Sequence, residues 1–449
     1  MKLPITIRGL LSTLILSALA LTTSVATAAE AIIPGERSCF WYRGPHSADP
    51  YINVAYPDAN VFYWASVFTM PEGSRLEIEG EFPHSRYFSL ISYDEGGRPL
   101  ESLADYLVRP ESAAENPFRI GASRDKRKRD YRVEILNREL DESRKEGVFQ
   151  ADSERNVLHA FGGKHNQQIL LYRIYLPNAD AGITGGVPLP EPVLTLADGT
   201  KLRGDKACGQ LATQQQLQLK VDAMGIPVAA YRKLINQPGK PDTWPAKVNP
   251  QWHIQLDRES LLGIYTGKIN PDARRSEGGF FPNPDNNYIR TIVNRRHGPV
   301  LVLRGKMPTT PATVEGDSTM SQAQLRYWSI CSNQGFANTR VNDCLFDEEV
   351  PLDEDGYYTV VVSREADRPR NARRECGLAW LPMADDGDGV FDKDASVVQI
   401  RNMLAAPDFP HAIQRVQRDG DIEKVMGEYY PKGFYTVPNI VETAFPCAL

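Results

Sequence analysis

Apolar and polar residues alternate with a period of two along much of the chain. Leu76, Ile78 and Gly80 are set against Glu77 and Glu79, the pattern of a strand with one buried and one solvated face. Arg86-Tyr87-Phe88-Ser89-Leu90 is a short apolar strand signature with a basic residue at its entrance, and glycines and prolines at the edges of such runs supply turns and end the ladders. No long amphipathic helices separate these strands. The pattern predicts a mainly β protein built from antiparallel sandwiches.

One pattern is used twice. Pro57-Asp58-Ala59-Asn60 returns as Pro284-Asp285-Asn286-Asn287, and the pair Gly73 and Gly80 returns as Gly298 and Gly305 with the same spacing. Arg86-Tyr87-Phe88-Ser89-Leu90 returns as Arg326-Tyr327-Trp328-Ser329-Ile330. Tyr131 to Ile135 returns as Tyr358 to Val362, and Leu171 to Leu176 as Gln399 to Leu404. Blocks repeated in one order predict two tandem, internally repeated, jelly-roll-like β-sandwich domains. The repeat also assigns residues 395–404, which alone read as a helix begun by Asp394, to a strand. The first sandwich then spans 29–212 and the second 267–449, with a short helical and irregular connector over 213–266. In that connector Leu217, Val221 and Met224 mark one helical face, Pro227 opens a second short helix, and Asp257 caps one more turn through Leu262.

Composition sharpens the picture. The 449 residues are enough for more than one core, and 34 Gly with 33 Pro suit a turn-rich β protein. Lys2 and Arg8 precede an apolar run from Leu10 to Leu21 that closes on Ala26-Thr27-Ala28, which reads as a cleavable signal peptide over 1–28. The run is short for a membrane span and no cysteine follows to accept a lipid. A periplasmic or secreted protein without a membrane span after signal cleavage is expected. Removing Lys2 and Arg8 from 51 Lys and Arg leaves 49 against 57 Asp and Glu, a net charge of −8, which argues against a nucleic-acid partner. The basic run Arg124-Asp125-Lys126-Arg127-Lys128-Arg129 reads as a solvated loop.

The six cysteines, Cys39, Cys208, Cys331, Cys344, Cys376 and Cys447, are an even number in an exported chain and predict disulfides. Cys331 with Cys344 is the favoured pair, since both flank a short polar loop. None sits in a CxxC or CxxH spacing, so zinc and thiol-redox chemistry have little support. Asp386, Asp388 and Asp392 are spaced like a short calcium loop, but Val390 occupies a ligand position and an acidic hairpin turn is the favoured reading over Ca2+. No other cofactor is indicated. No GxSxG, HExxH, Walker or GxGxxG signature is present.

Loops that differ between the two copies are where a duplicated scaffold gains a function. The second copy inserts Thr309 to Leu325; the first carries a longer excursion after its RYFS strand. His84, Arg86, Tyr93 and Asp94 in this region are the candidate ligand-binding residues. Arg86 with Arg326, and Arg173 with Arg401, occupy equivalent positions, which favours a scaffold role for them.

The stretch RYFSLISYDEGGRPL, with RYWSI and the later YRIYLP, resembles uncharacterised exported bacterial β-sandwich domains in which a Y-W-S strand leads into Y-D-x-x-G and an L-R-x-Y-x-P strand. In the second copy Cys331-Ser332-Asn333-Gln334-Gly335 replaces the Y-D-x-x-G. The resemblance implies a fold and an envelope location, and no activity. The expected function is an exported, non-catalytic protein that binds a carbohydrate, another small ligand or an envelope partner. The alternative is a hydrolase or lyase acting on a polysaccharide or ester in a cleft between the sandwiches.

Overall fold

Strand-forming residues dominate, and the strands assemble into four sheets. The computed structural model describes residues 35–447 apart from 113, 141–148, 151–155, 219–224, 257 and 271–279. The first eleven strands are β1 (Arg43–His46), β2 (Val61–Phe68), β3 (Arg75–Glu81), β4 (Ser85–Tyr93), β5 (Pro99–Ala104), β6 (Asp130–Leu136), β7 (Phe149–Gln150), β8 (Val157–His159), β9 (Gln168–Pro177), β10 (Glu191–Thr195) and β11 (Lys201–Arg203). The others are β12 (His253–Gln255), β13 (Asn286–Asn294), β14 (Val300–Lys306), β15 (Tyr327–Asn333), β16 (Val341–Phe346), β17 (Tyr357–Ser363), β18 (Ala379–Pro382), β19 (Ala395–Met403) and β20 (Lys432–Thr436). Residues 395–403 are thus a strand, as the repeat requires.

Sheet I has the order β1-β2-β9-β4-β5-β7, sheet II β11-β10-β3-β6-β8, sheet III β12-β13-β19-β15-β16 and sheet IV β18-β17-β14-β20. The order β2-β9-β4-β5 in sheet I matches β13-β19-β15-β16 in sheet III, and β10-β3-β6-β8 in sheet II matches β20-β14-β17-β18 in sheet IV. The sheets are mixed rather than purely antiparallel: β6 with β8, and β17 with β18, run parallel.

The matching extends to single residues. Tyr63, Arg173 and Ser89 sit side by side across β2, β9 and β4, and Tyr288, Arg401 and Ser329 do so across β13, β19 and β15. A Cβ on Gly80 would lie 2.7 Å from the Tyr131 hydroxyl, and one on Gly305 would lie 2.6 Å from that of Tyr358. The repeated glycine and the repeated tyrosine therefore form one packing unit, the missing side chain making room for the ring of the neighbouring strand.

Alternation places two kinds of residue on the two faces of sheet I. Trp64, Phe68, Phe88, Leu90, Leu170 and Ile174 point toward Leu76, Ile78, Val133 and Ile135 of sheet II and make the first core. Ile289, Trp328, Ile330, Val398 and Ile400 of sheet III pack likewise on Leu301, Leu303, Val360 and Leu381 of sheet IV. The opposite face of sheet I is covered over most of its area. Val61, Tyr87 and Tyr175 pack against Tyr327, Phe346 and Met403, so the layers run II, I, III, IV. β4 and β9 are buried on both faces along almost their whole length, because a second sandwich covers the side turned away from sheet II. The described residues make one compact unit.

The connector is short helices joined by irregular chain. α1 (Gly204–Gln210) precedes it, and Leu217 lies in irregular chain beside Ile91 and Leu171. Val221, Met224, Asp257 and the signal at 1–28 fall outside the described residues. α2 (Val228–Ile235) starts after Pro227, and α3 (Arg258–Thr266) follows β12. The basic run is solvated only from Asp125 to Lys128. Arg129 is 3% exposed and donates to the carbonyls of Phe82, Pro83, Arg124 and Lys126, while Arg124, 5% exposed, reaches Thr313, Asp317 and Asn178. Their guanidinium groups close the loop and pin the 309–325 insertion to the first sandwich.

All six cysteines are paired, as Cys39–Cys208, Cys331–Cys344 and Cys376–Cys447. Cys331 and Cys344 face each other directly on β15 and β16. Among the described residues no helix is long and apolar enough to cross a membrane.

Candidate functional site at the seam between the sandwiches

The face shared by sheets I and III carries charge, and most of it is neutralised by exchange between the halves. Arg86 is fully buried; its Nη1 donates to Asp347 at 2.5 and 2.7 Å, its Nη2 to Glu348 and its Nε to Thr313. From the other side Arg326 donates to Asp105 at 3.2 Å. Each acid also accepts a backbone N–H from its own half, Asp347 from Trp328 and Asp105 from Phe88. Asp58 of the first half takes Arg401, Ser329 and the Tyr327 hydroxyl of the second, while Asp285 of the second takes the Tyr87 hydroxyl of the first. Burial pushes Asp105 up to about 7, against the pull of Arg326 and of the N–H donors.

This exchange is incomplete at one place. Arg401 has Asp58, but its counterpart Arg173 has no ion pair among the described residues. Arg173 is 3% exposed, donates through Nη2 to the Phe281 carbonyl at 2.6 Å, and lies 5.4 Å from the ring centres of Tyr63 and Tyr93. Its Nη1 is buried without a partner among the described residues. Arg290 stands where the first half has Ala65, one step along the face from Tyr288. It is 4% exposed, sits 4.2 Å from the Tyr56 ring centre, has no ion pair among the described residues, and burial lowers it to about 10. Arg290 Nε, Arg401 Nε, Asn286 Oδ1 and Gln399 Oε1 on the same face are likewise buried and unpartnered.

Tyr63, Tyr288, Ala65 and His46, which border this layer, are only partly buried, so solvent reaches it. His46 lies opposite Tyr63 on β1, and burial, then Arg43, Arg173 and Arg37, push it down to about 4. The imidazole is neutral near pH 7.

The four candidate ligand residues do not form one cluster. Tyr93 joins the Arg173 layer, donating to the Pro282 carbonyl at 2.8 Å. Arg86 is consumed by its ion pairs. Asp94 caps the turn between β4 and β5, its Oδ1 accepting from Gly96 and Arg98 at 2.8 and 2.9 Å. Half-buried His84 lies beside Arg124 and Arg129, on the far side of the loop they close, with burial and those two arginines lowering its pKa.

The aspartate loop folds as a turn. Asp388, 2% exposed, accepts backbone N–H groups of Val390, Phe391 and Asp392 on one oxygen and the Tyr231 hydroxyl on the other. Asp386 takes Gln334 and Asp392 takes Asn294, so the three carboxylates serve separate donors and do not converge as a calcium site requires. Among the described residues the one group of metal-ligand type is Asp58 with Cys331 and Cys344, whose sulfurs are bonded to each other.

A groove of about 600 Å³ opens between Met70–Arg75 and Glu134–Arg138. Its Arg75 is exposed and already bridges Glu77 and Glu134, so it offers no comparable unspent charge.

Asp58, Arg290, Tyr63 and Tyr288 were not singled out from sequence. The available signal was an arginine inside an apolar strand, Tyr288-Ile289-Arg290-Thr291-Ile292-Val293, where a charge is normally absent unless paired.

No family model and no curated protein matches the chain. Among solved structures, an uncharacterised protein from Burkholderia cenocepacia is similar at 11% identity and a TM-score of 0.43, covering 86% of this chain and 79% of that one. The VPA0106 protein from Vibrio parahaemolyticus is similar at 13% identity and a TM-score of 0.39, covering 85% and 90%. Neither likeness carries a function to this chain.

Proposed function

We propose that the protein is an exported, non-catalytic binding protein that holds a small ligand in the layer between sheets I and III. The observation that carries this reading is the set of buried, unpartnered polar atoms on that layer, beginning with Arg173 Nη1. Buried donors and acceptors are normally satisfied, and a group of them on one face marks a place for water or a ligand. Residues that solvent reaches at its border, Tyr63 and Tyr288 among them, supply the amphipathic walls common in ligand sites. Three disulfides suit an oxidising compartment, and a periplasmic or secreted location goes with the signal-like segment at 1–28.

A thermal-shift screen of the mature chain against sugars, uronates, organic acids and divalent metals tests the reading. A selective rise in Tm for one class is expected, since a ligand at about 100 times its Kd adds about 2.7 kcal/mol. A flat response across the panel overturns small-ligand binding and leaves a macromolecular envelope partner as the object of search.

A further inference from the structure

The two sandwiches repeat several charged positions across the seam, and two of the departures from the repeat are instructive. Arg401 is neutralised by Asp58. Under the same exchange Arg173 would be neutralised by Asp285, yet Asp285 accepts from Tyr87 and no ion pair joins it to Arg173. The second exception is Arg290, which has only Ala65 as its counterpart in the first half. Both guanidinium groups are over nine-tenths buried, both keep a buried N–H without an acceptor among the described residues, and both rest against tyrosine rings.

An uncompensated buried charge is costly, and a fold keeps one where something else supplies the opposite sign. Arginine is suited to planar oxyanions because its N–H groups form a fixed fork. A tyrosine-lined layer adds flat, partly polar walls for an organic body rather than for a bare inorganic ion.

We infer that the Arg173 and Arg290 face between sheets I and III binds a small organic carboxylate, whose charge compensates these two guanidinium groups and whose body lies against Tyr63 and Tyr288. This deepens the binding function proposed above and rests on it.

The test uses the mature chain and three matched acid and amide pairs: benzoate with benzamide, glucuronate with glucuronamide, and succinate with succinamide. Tm shift and calorimetric Kd are read for wild type, Arg173→Met, Arg290→Met, the charge-preserving Arg173→Lys, and Arg401→Met. Expected is stabilisation by at least one acid and not by its amide, with binding weakened about tenfold to a hundredfold in Arg173→Met or Arg290→Met, the loss of a charge-assisted contact. Arg173→Lys retains part of the response. Without ligand, Arg290→Met melts at or above wild type because it removes an unpaired charge, whereas Arg401→Met melts lower because it strands Asp58. Equal or stronger response to the amides overturns the carboxylate assignment and leaves ligand binding standing. Acid binding unchanged in both methionine variants moves the site elsewhere and overturns it too. Unliganded Arg173→Met and Arg290→Met melting as low as Arg401→Met makes the two arginines structural, with the same consequence. Silence of wild type toward all six compounds overturns the underlying binding function.

Discussion

Arg86 keeps its charge in a fully buried position because Asp347, Glu348 and Thr313 between them receive its Nη1, Nη2 and Nε groups. Removing one member of such a group strands the others away from water, which costs about 3–5 kcal/mol. Arg86→Met should therefore lower the unfolding free energy by about that amount in a urea titration. Asp347→Asn in the same background should restore part of it, since the amide still accepts from Trp328, and the double-mutant cycle should give a coupling energy of about 2 kcal/mol. His46 makes a second prediction at this scale. Its folded pKa, about 4, lies below the ordinary 6.5, so the unfolded chain binds the proton more readily and stability falls as pH drops from 6.5 through 4. His46→Asn should remove on the order of 2 kcal/mol of that fall, measured as the difference between the two pH profiles.

At the scale of elements, the disulfides tie segments of very different separation. Cys331–Cys344 closes 13 residues within one ladder, and Cys39–Cys208 ties the start of the described chain to α1 across 169 residues. Loop-closure entropy grows with the logarithm of that length, giving about 3 and about 5 kcal/mol. Replacing both cysteines by serine should destabilise more at Cys39 and Cys208 than at Cys331 and Cys344. Because β15 and β16 are also held by backbone pairing, the shorter pair should be lost with the sheet intact, as amide exchange would report. The repeated Gly80 and Gly305 work at the same scale, each sized to the tyrosine of the next strand.

The whole molecule is joined through a face that each half leaves polar. A half expressed alone would expose Tyr87, Tyr175 and Tyr327 and strip Arg86, Asp347, Asp58 and Arg401 of their partners. Residues 29–212 and 267–449 produced separately should bind a hydrophobic dye, melt without cooperativity, and elute as a 1:1 complex when refolded together. Two monomeric, cooperatively melting halves would mean that the seam is a loose contact between independent domains. High salt should weaken the complex only modestly, since these pairs are shielded from solvent ions.

Sheet content, the strand at residues 395–403 and the Cys331–Cys344 pairing were legible in the chain because period-two alternation, repeated blocks and cysteine parity are local or countable. The acidic turn at Asp388 was legible for the same reason, since its acceptor groups serve backbone a few residues away. Other features depend on distant chain. Leu217 lies in irregular chain against Ile91 and Leu171, the two ends of the basic run are drawn inward by carbonyls, and Asp94 caps the turn between β4 and β5. Alternation reports only that the two faces of a strand differ. Whether the polar face meets water or a second sheet is a question of what packs on it, and here the other sandwich covers it. Sequence alone determined the strands, the repeated positions and the arginines they carry. Only the tertiary structure decided which arginine receives a carboxylate and which does not, because Arg401 and Asp58 lie 343 positions apart in sequence and their charges meet only when the two halves close face to face.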